Sequence, residues 1–326
     1  MSTQLRNEIF KVSGQSFERT AIEVLHFQYQ HNLLYKSYVD ALKINIANIN
    51  SIAKIPFLPI SFFKTHDIKT GFFNAEIIFE SSGTTQTINS RHYVKDISLY
   101  RESFIKGFEK FYGSINDWCI IGLLPSYLER KNSSLIMMVD DLIKISNHRQ
   151  SGFYLYEHDK LNEVLHQLEN KKQKTLLIGV TFALLDFTEN FPQQLRHTVV
   201  MDTGGMKGRR KELTRKETHE FLKNRLGINV VHSEYGMTEL LSQAYSKGEG
   251  RFESVPWMKA LVRNEDDPFD VKKKGSGIIN IIDLANIYSC SFIATDDVGN
   301  IFDDGSFEVA GRVDNSDMRG CSLLVV

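Results

Sequence analysis

At 326 residues the chain is long enough for one large domain or two ordinary ones, and for a substantial core. Hydrophobic residues make up 42% and charged residues 24%, with a formal net charge of -1, a balance with no pull toward nucleic acid. No apolar run reaches the roughly 18 residues that cross a bilayer, Met1 to Glu8 lacks the apolar core of a signal peptide, and Cys119, Cys290 and Cys321 fit neither a disulfide framework nor a zinc site, so a cytoplasmic protein with free thiols is expected.

From Thr20 to Asn50 the spacing of Ile22, Leu25, Tyr29 and Leu33 predicts helices, and Pro56 and Pro59 then force an extended segment. Ile77 to Phe79 reads as a strand that opens into Ser81-Ser82-Gly83-Thr84-Thr85-Gln86, a turn of small, mostly hydroxylic residues. Such a turn has little to bury, and its backbone N–H groups and hydroxyls can converge on phosphate oxygens. An ordinary Ser/Thr/Gly-rich loop has the same composition, so later segments must decide. Val94 to Phe111 returns to helical spacing, which predicts strand, turn and helix in succession.

Strand-like runs follow at Trp118–Leu124, Leu135–Val139, Thr175–Val180 and Thr198–Met201, with helices expected at Leu161–Glu169 and Leu213–Leu226. The alternation predicts an α/β domain of helix-flanked sheets. Lys207 to Arg225 is rich in Lys and Arg, but Glu212, Glu217 and Glu220 are interleaved and Leu213, Phe221, Leu222 and Leu226 supply an apolar face. A solvated amphipathic helix explains it better than a polyanion patch. Ile228 to Val231 reads as a strand leading into Ser233-Glu234-Tyr235-Gly236-Met237-Thr238-Glu239. From Gly275 onward short strands are expected, with turns at Gly275-Ser276-Gly277, Val298-Gly299-Asn300 and Asp303-Asp304-Gly305, forming an antiparallel β-rich subdomain at 275–326.

Taken in order, Ser-Ser-Gly-Thr-Thr at 81–85, Tyr-Gly-Met-Thr-Glu at 235–239 and Gly-Arg-Val-Asp-Asn at 311–315 resemble the motif set of the adenylate-forming enzymes. Within that superfamily the chain most resembles the LuxE-type acyl-protein synthetases, through Ile55 to Lys64, Leu124 to Arg130 and Arg319-Gly320-Cys321. The resemblance spans nearly the whole chain. It implies a single domain over 1–326, the large N-terminal domain of that superfamily, with a helical lead-in at 1–55. The small mobile domain that follows in larger members is expected to be absent, since the sequence ends at Val326, 14 residues beyond Arg312.

The resemblance also implies a chemistry. A carboxylate resists nucleophiles until it is activated, and transfer of AMP from ATP makes a mixed anhydride with a good leaving group. By family pattern Ser81, Ser82, Gly83, Thr84 and Thr85 cradle the triphosphate, while Gly204 and Gly205 form the adenine loop. Tyr235 and Gly236 lie against the base, and Thr238 contacts the α-phosphate. Glu239, with Thr84, holds Mg2+, a hard cation that prefers oxygen ligands. Asp297 and Arg312 meet the ribose, with Asp296 an alternative one residue away. The loop departs from the family at Gln86 and at Ser90-Arg91, where Arg91 or Lys95 is left to supply a cation. Plain readings stand beside these roles: surface charges for Arg91 and Lys95, a turn for Gly204-Gly205 and a core aromatic for Tyr235.

Cys321 sits where LuxE-type proteins carry the acyl group as a thioester; the alternative is a small buried hydrophobe in a terminal strand. The expected function is ATP-dependent activation of a carboxylic acid, with an apolar acyl chain favoured. The acyl group then passes to a protein thiol and on to a partner such as a reductase, acyltransferase or carrier. An acyl-CoA or aryl-CoA ligase and a non-catalytic nucleotide-binding subunit are the competing readings.

Overall fold

After a short opening helix, Ser2–Ile9, two longer helices, Phe17–His31 and Leu33–Ala41, complete the helical lead-in of the computed structural model, which describes residues 2–81, 88–124, 132–204 and 213–313. They are separate because Asn32 leaves the helical region and its Oδ1 accepts from the Tyr35 N–H at 3.0 Å, capping the second helix. The break shifts the buried stripe of the first helix to Ala21, Val24, Leu25 and Gln28 and leaves Leu33 66% exposed, so the apolar face expected through Leu33 is not continuous. A polar residue sits in that stripe for a reason. Gln28 Nε2 donates to the Asn286 and Ile287 carbonyls at 3.0 and 3.1 Å, and its Oε1 accepts from the Ser291 N–H at 2.9 Å.

The chain divides into two compact units. Among the described residues the first takes those up to 104, 236–243 and those from 253 onward. Its sheet is antiparallel, with Val271–Lys272, Met258–Arg263, Gly275–Asp283, Phe292–Ile301 and Phe307–Arg312 side by side in that order. Leu58–Pro59 adds to Phe292–Ile301 in parallel, in keeping with the extended segment read from the prolines. The β-rich region thus begins before Gly275, since Met258–Arg263 already belongs to it. Only the turn at Asp303-Asp304-Gly305 is a turn. Gly275-Ser276-Gly277 and Val298-Gly299-Asn300 lie inside strands, because a side chain at Gly277 or Gly299 would meet the carbonyl of Arg263 or Glu308 on the adjoining strand. These glycines mark close strand approach.

Ile77–Glu80 pairs antiparallel with Arg91–Val94, from Ile77 opposite Val94 to Glu80 opposite Arg91. The expected order of strand, turn and helix is corrected here: a second strand stands between the loop and helix Ile97–Tyr112.

The second unit takes residues 105–235 and 244–252. Gly152–Phe153, Cys119–Leu123, Thr175–Gly179, Thr198–Thr203 and His232–Tyr235 lie parallel in that order, and Ala244–Ser246 adds antiparallel to the last. Cys119–Leu123 and Thr175–Gly179 are buried along their whole length, the pattern of parallel strands covered on both faces. Leu135–Val139, expected as a strand, lies in helix Ser134–Ser146. An unbroken apolar run carries no period of its own, and the decision came from the ends: Ser133 Oγ accepts from the Ile136 N–H, and Asn147 closes the helix in the left-handed region. Helices His158–Asn170 and Arg215–Leu226 match expectation. The latter opens on a Thr214–Glu217 capping box and buries Leu222 and Leu226 of the expected apolar face, with Thr218 and His219 beside them, whereas Leu213 and Phe221 are only half-buried. The strand expected at Ile228–Val231 begins only at His232.

Candidate active site

The first unit supplies the base of the hydroxyl-rich loop. Ser81 is buried, its N–H donates to the Ser90 carbonyl at 3.1 Å, and its Oγ accepts from the Ser90 N–H at 2.9 Å, so this pair closes the loop across its neck. Ser82, Gly83, Thr84 and Thr85 lie outside the described residues, as do Gly205 and Cys321. Arg91 pairs with Asp67 at 3.3 Å and lies over the Tyr93 ring, while Lys95 lies over Tyr288 at 4.4 Å from the ring centre.

The segment carrying Thr238 and Glu239 is held through its main chain. His92, in the strand after the loop, is buried with Nδ1 at 2.8 Å from the Thr238 carbonyl. A carbonyl only accepts, so Nδ1 carries the hydrogen; burial pushes this imidazole down to about 4, which keeps the ring neutral. Asn286 Nδ2 donates to the Glu239 carbonyl at 2.8 Å. Asp283 Oδ2 accepts from the Leu241 and Ser242 N–H groups at 2.8 and 3.0 Å, and Oδ1 from the Ser242 hydroxyl at 2.6 Å and the Ala285 N–H at 3.0 Å. Burial raises Asp283 to about 6 against the pull of these four bonds. Gln28 grips the same turn from its other side. The helical lead-in therefore sets the turn, and the turn sets the backbone from Glu239 to Ser242.

His92, Asp283 and Asn286 are missing from the sequence-level site. His92 follows the loop directly, next to Ser90-Arg91, but belongs to no motif, and the only signal at 283–286 is a pair of polar residues, Asp283 and Asn286, in an otherwise apolar run.

Glu239 is fully buried. Among the described residues no cluster of three or more His, Cys, Asp or Glu surrounds a metal position. A single carboxylate is nevertheless a suitable donor set for Mg2+ bound with a nucleotide, because that ion keeps several waters and takes its remaining oxygens from substrate phosphates.

Asp297 and Arg312 face each other across the Phe292–Ile301 and Phe307–Arg312 strands, with Nε and Oδ1 2.9 Å apart and both side chains largely buried. Asp296 belongs to the other face of its strand, as alternation requires.

The second unit holds Tyr235 and Gly204. Tyr235 is buried at the end of its strand, with the Phe252 ring centre 5.8 Å away. Gly204 ends the preceding parallel strand with φ +79°, a conformation that favours glycine, and its carbonyl accepts from the Thr181 hydroxyl at 2.7 Å. The same Thr181 oxygen lies 2.7 Å from Asp202 Oδ1, two acceptors competing for one hydrogen, and Thr203 donates to Glu234 at 2.5 Å. Burial raises the Glu234 carboxyl to about 7. These polar groups sit at the carboxyl ends of parallel strands, where α/β sheets receive ligands.

Among solved structures, the 2-hydroxyisobutyryl-CoA ligase in its postadenylation state matches with TM-score 0.61 at 9% identity, over 95% of this chain and 70% of that one. ATP-bound MatB from Rhodopseudomonas palustris matches at 0.52 and 17%, over 72% of this chain and 47% of MatB, so the match takes in about half of MatB's length. MenE from Bacillus subtilis with AMP matches at 0.51 and 14%, over 77% and 63%. These likenesses show the adenylate-forming fold. The long-chain-fatty-acid–luciferin-component ligase of Aliivibrio fischeri is 22% identical over 350 aligned residues, covering 96% of this chain and 89% of that protein. A family model of acyl-protein synthetases extends the agreement over residues 11–326, and the chain belongs to that LuxE family.

Proposed function

We propose that this ligase activates a carboxylic acid with an apolar chain, using ATP and Mg2+, and then takes the acyl group onto its own Cys321. A carboxylate oxygen attacks the α-phosphorus, the bond to the β-phosphate oxygen breaks, and pyrophosphate leaves. The Cys321 thiolate then attacks the acyl carbon, a thioester forms and AMP leaves. Bound Mg2+ would neutralise phosphate charge, with Glu239 and Thr84 as its protein donors. Thr238 contacts the α-phosphate, Ser81 to Thr85 hold the outer phosphates, Gly204, Gly205, Tyr235 and Gly236 receive the base, and Asp297 with Arg312 receives the ribose.

The observation that carries this reading is the fixed main chain from Thr238 to Ser242 in the unit that also holds the Asp297–Arg312 pair. Positioned donors and charges cost no reorganisation as the reaction proceeds. The choice of thiol is supported by the other two: Cys119 and Cys290 are fully buried, and burial pushes them up to about 11 and about 12, so neither offers a thiolate near neutral pH. The final acceptor would be a reductase, acyltransferase or carrier protein, since a thioester on the enzyme must be discharged to a second nucleophile or reductant.

Two measurements test it. Carboxylate-dependent exchange of pyrophosphate into ATP is expected in wild type and in Cys321→Ser, whereas a hydroxylamine-labile acyl group is expected on wild type alone. Full labelling of Cys321→Ser would exclude the carrier. Acylation of free CoA with no label on the protein would point to a CoA ligase, and absence of exchange would exclude adenylation.

A further inference from the structure

The first unit contains a cavity of about 780 Å³, lined by none of the residues assigned above except Asp296, the alternative to Asp297. That volume is in the range of sites that enclose a small organic molecule. Its walls are mostly apolar: Leu42 and Ile49 come from the helical lead-in, Phe57 from the segment before Leu58–Pro59, and Phe269 from the hairpin between Met258–Arg263 and Val271–Lys272. Phe269 is 54% exposed, a large ring left at the rim. An apolar surface kept open beside a cavity calls for an occupant.

The polar groups of the cavity are Arg263 and Asp296 at its strand wall and exposed Lys54 with two asparagines from the lead-in. The Arg263 guanidinium is committed within the fold: Nη1 donates to the Ile279 carbonyl at 3.2 Å and Asn280 Oδ1 at 2.6 Å, and Nη2 to the Thr295 carbonyl at 2.6 Å. Asp296 is different. Its carboxylate is partly buried and lines the cavity with Ala294, and no described residue donates a hydrogen bond to it. Burial disfavours its charge, Arg312 and Asp297 act on it in opposite directions, and Arg263 with Lys64 remains to favour it. A cationic ligand head would meet the Asp296 carboxylate but also the like charges of Arg263 and Lys64, and an anionic head would meet the reverse, so neither charge finds a matched site. A neutral hydrogen-bond donor meets neither objection.

We propose that this cavity is a second ligand site, which takes an elongated apolar molecule with a neutral donor head, an alcohol or a primary amide, hydrogen-bonded to Asp296. The site lies on the opposite face of the Phe292–Ile301 strand from Asp297, and it is independent of whether the chain forms acyl-adenylates.

The test uses the full chain without nucleotide, with decanol, decylamine and decanoate as probes, by calorimetry and ligand-observed NMR. Decanol is expected to bind, with decylamine and decanoate at least tenfold weaker at this site. Asp296→Ala should weaken decanol about tenfold or more, and Asp296→Asn, which keeps an acceptor oxygen, should restore most of the affinity. Phe269→Ala removes an exposed wall without opening the core and should weaken decanol severalfold; it decides the matter if Asp296→Ala does not fold. Absence of decanol binding would overturn the proposal, as would decanol binding unchanged in both Asp296→Ala and Phe269→Ala. A charged probe that binds more tightly than decanol, and loses affinity in these variants, would overturn the neutral head.

Discussion

Thr238 and Glu239 owe their positions to side chains remote in sequence, and His92 is the most specific of these. His92→Phe keeps an aromatic ring and removes the donor to the Thr238 carbonyl, at an expected cost of about 1–2 kcal/mol in denaturant unfolding. His92→Asn, whose amide can donate from nearly the same place, should recover part of both stability and exchange activity. If His92→Phe unfolds and exchanges as wild type does, the contact is incidental. Glu239→Gln keeps the volume and removes the charge, so carboxylate-dependent exchange should fall on the order of 100-fold or more while the unfolding midpoint stays close to wild type. Exchange near the wild-type rate would remove Glu239 from the metal. Glu234 gives a pH signature of its own. Its folded pKa of about 7 lies above the ordinary 4.5, so between these values the unfolded chain releases a proton that the folded chain keeps. Stability from this group is therefore present below pH 4.5 and lost as pH rises through 7. Glu234→Gln should gain on wild type by about 2–3 kcal/mol between pH 5 and pH 8, read from paired unfolding curves, and parallel curves would refute it.

At the scale of elements, the Asp283 to Ser291 turn holds the backbone of the 239–242 segment. It grips Leu241, Ser242 and the Glu239 carbonyl on one side and is gripped by Gln28 on the other. Asp283→Ala would strand two buried N–H groups of the 241–242 segment and the Ala285 N–H, leaving the Ser242 hydroxyl only its Ser103 partner, for an expected loss of about 3–5 kcal/mol. Equilibrium unfolding measures this directly, and a loss below about 1 kcal/mol would mean that water or a local shift replaces the carboxylate. The elements also show where pattern reading fails. Leu135–Val139 is apolar in every position, so only its caps separate helix from strand, and Gly277 and Gly299 resemble turn glycines until the neighbouring carbonyls are seen.

For the whole molecule, MgATP should raise the thermal midpoint of wild type, by an amount set by its concentration relative to affinity, and raise it less in Glu239→Gln. Thiol titration offers an independent check. Cys119 and Cys290 are fully buried, so at neutral pH no more than one thiol per chain is expected to react before unfolding and three after it, and any fast one should vanish in Cys321→Ser. Rapid loss of a second thiol in the native protein would contradict the burial of those two side chains.

Much of this protein was legible in one dimension. The order of Ser-Ser-Gly-Thr-Thr, Tyr-Gly-Met-Thr-Glu and Gly-Arg identified the superfamily, because a ligand that touches several loops leaves short patterns at each. Most of the helices and strands were legible too, because burial of one face imposes a period on the residues. What lay beyond reach was long-range. The hydrogen bonds from His92 to Thr238 span 146 residues and those from Gln28 to the Asn286–Ser291 turn 258 to 263, and no local period records a partner at that distance. Which face of a strand meets which neighbour was equally hidden: only the pairing of Asp297 with Arg312 separates it from Asp296, which turns to the cavity. Local sequence sets the conformation of each segment, whereas the satisfaction of buried polar groups is settled only when distant segments pack together.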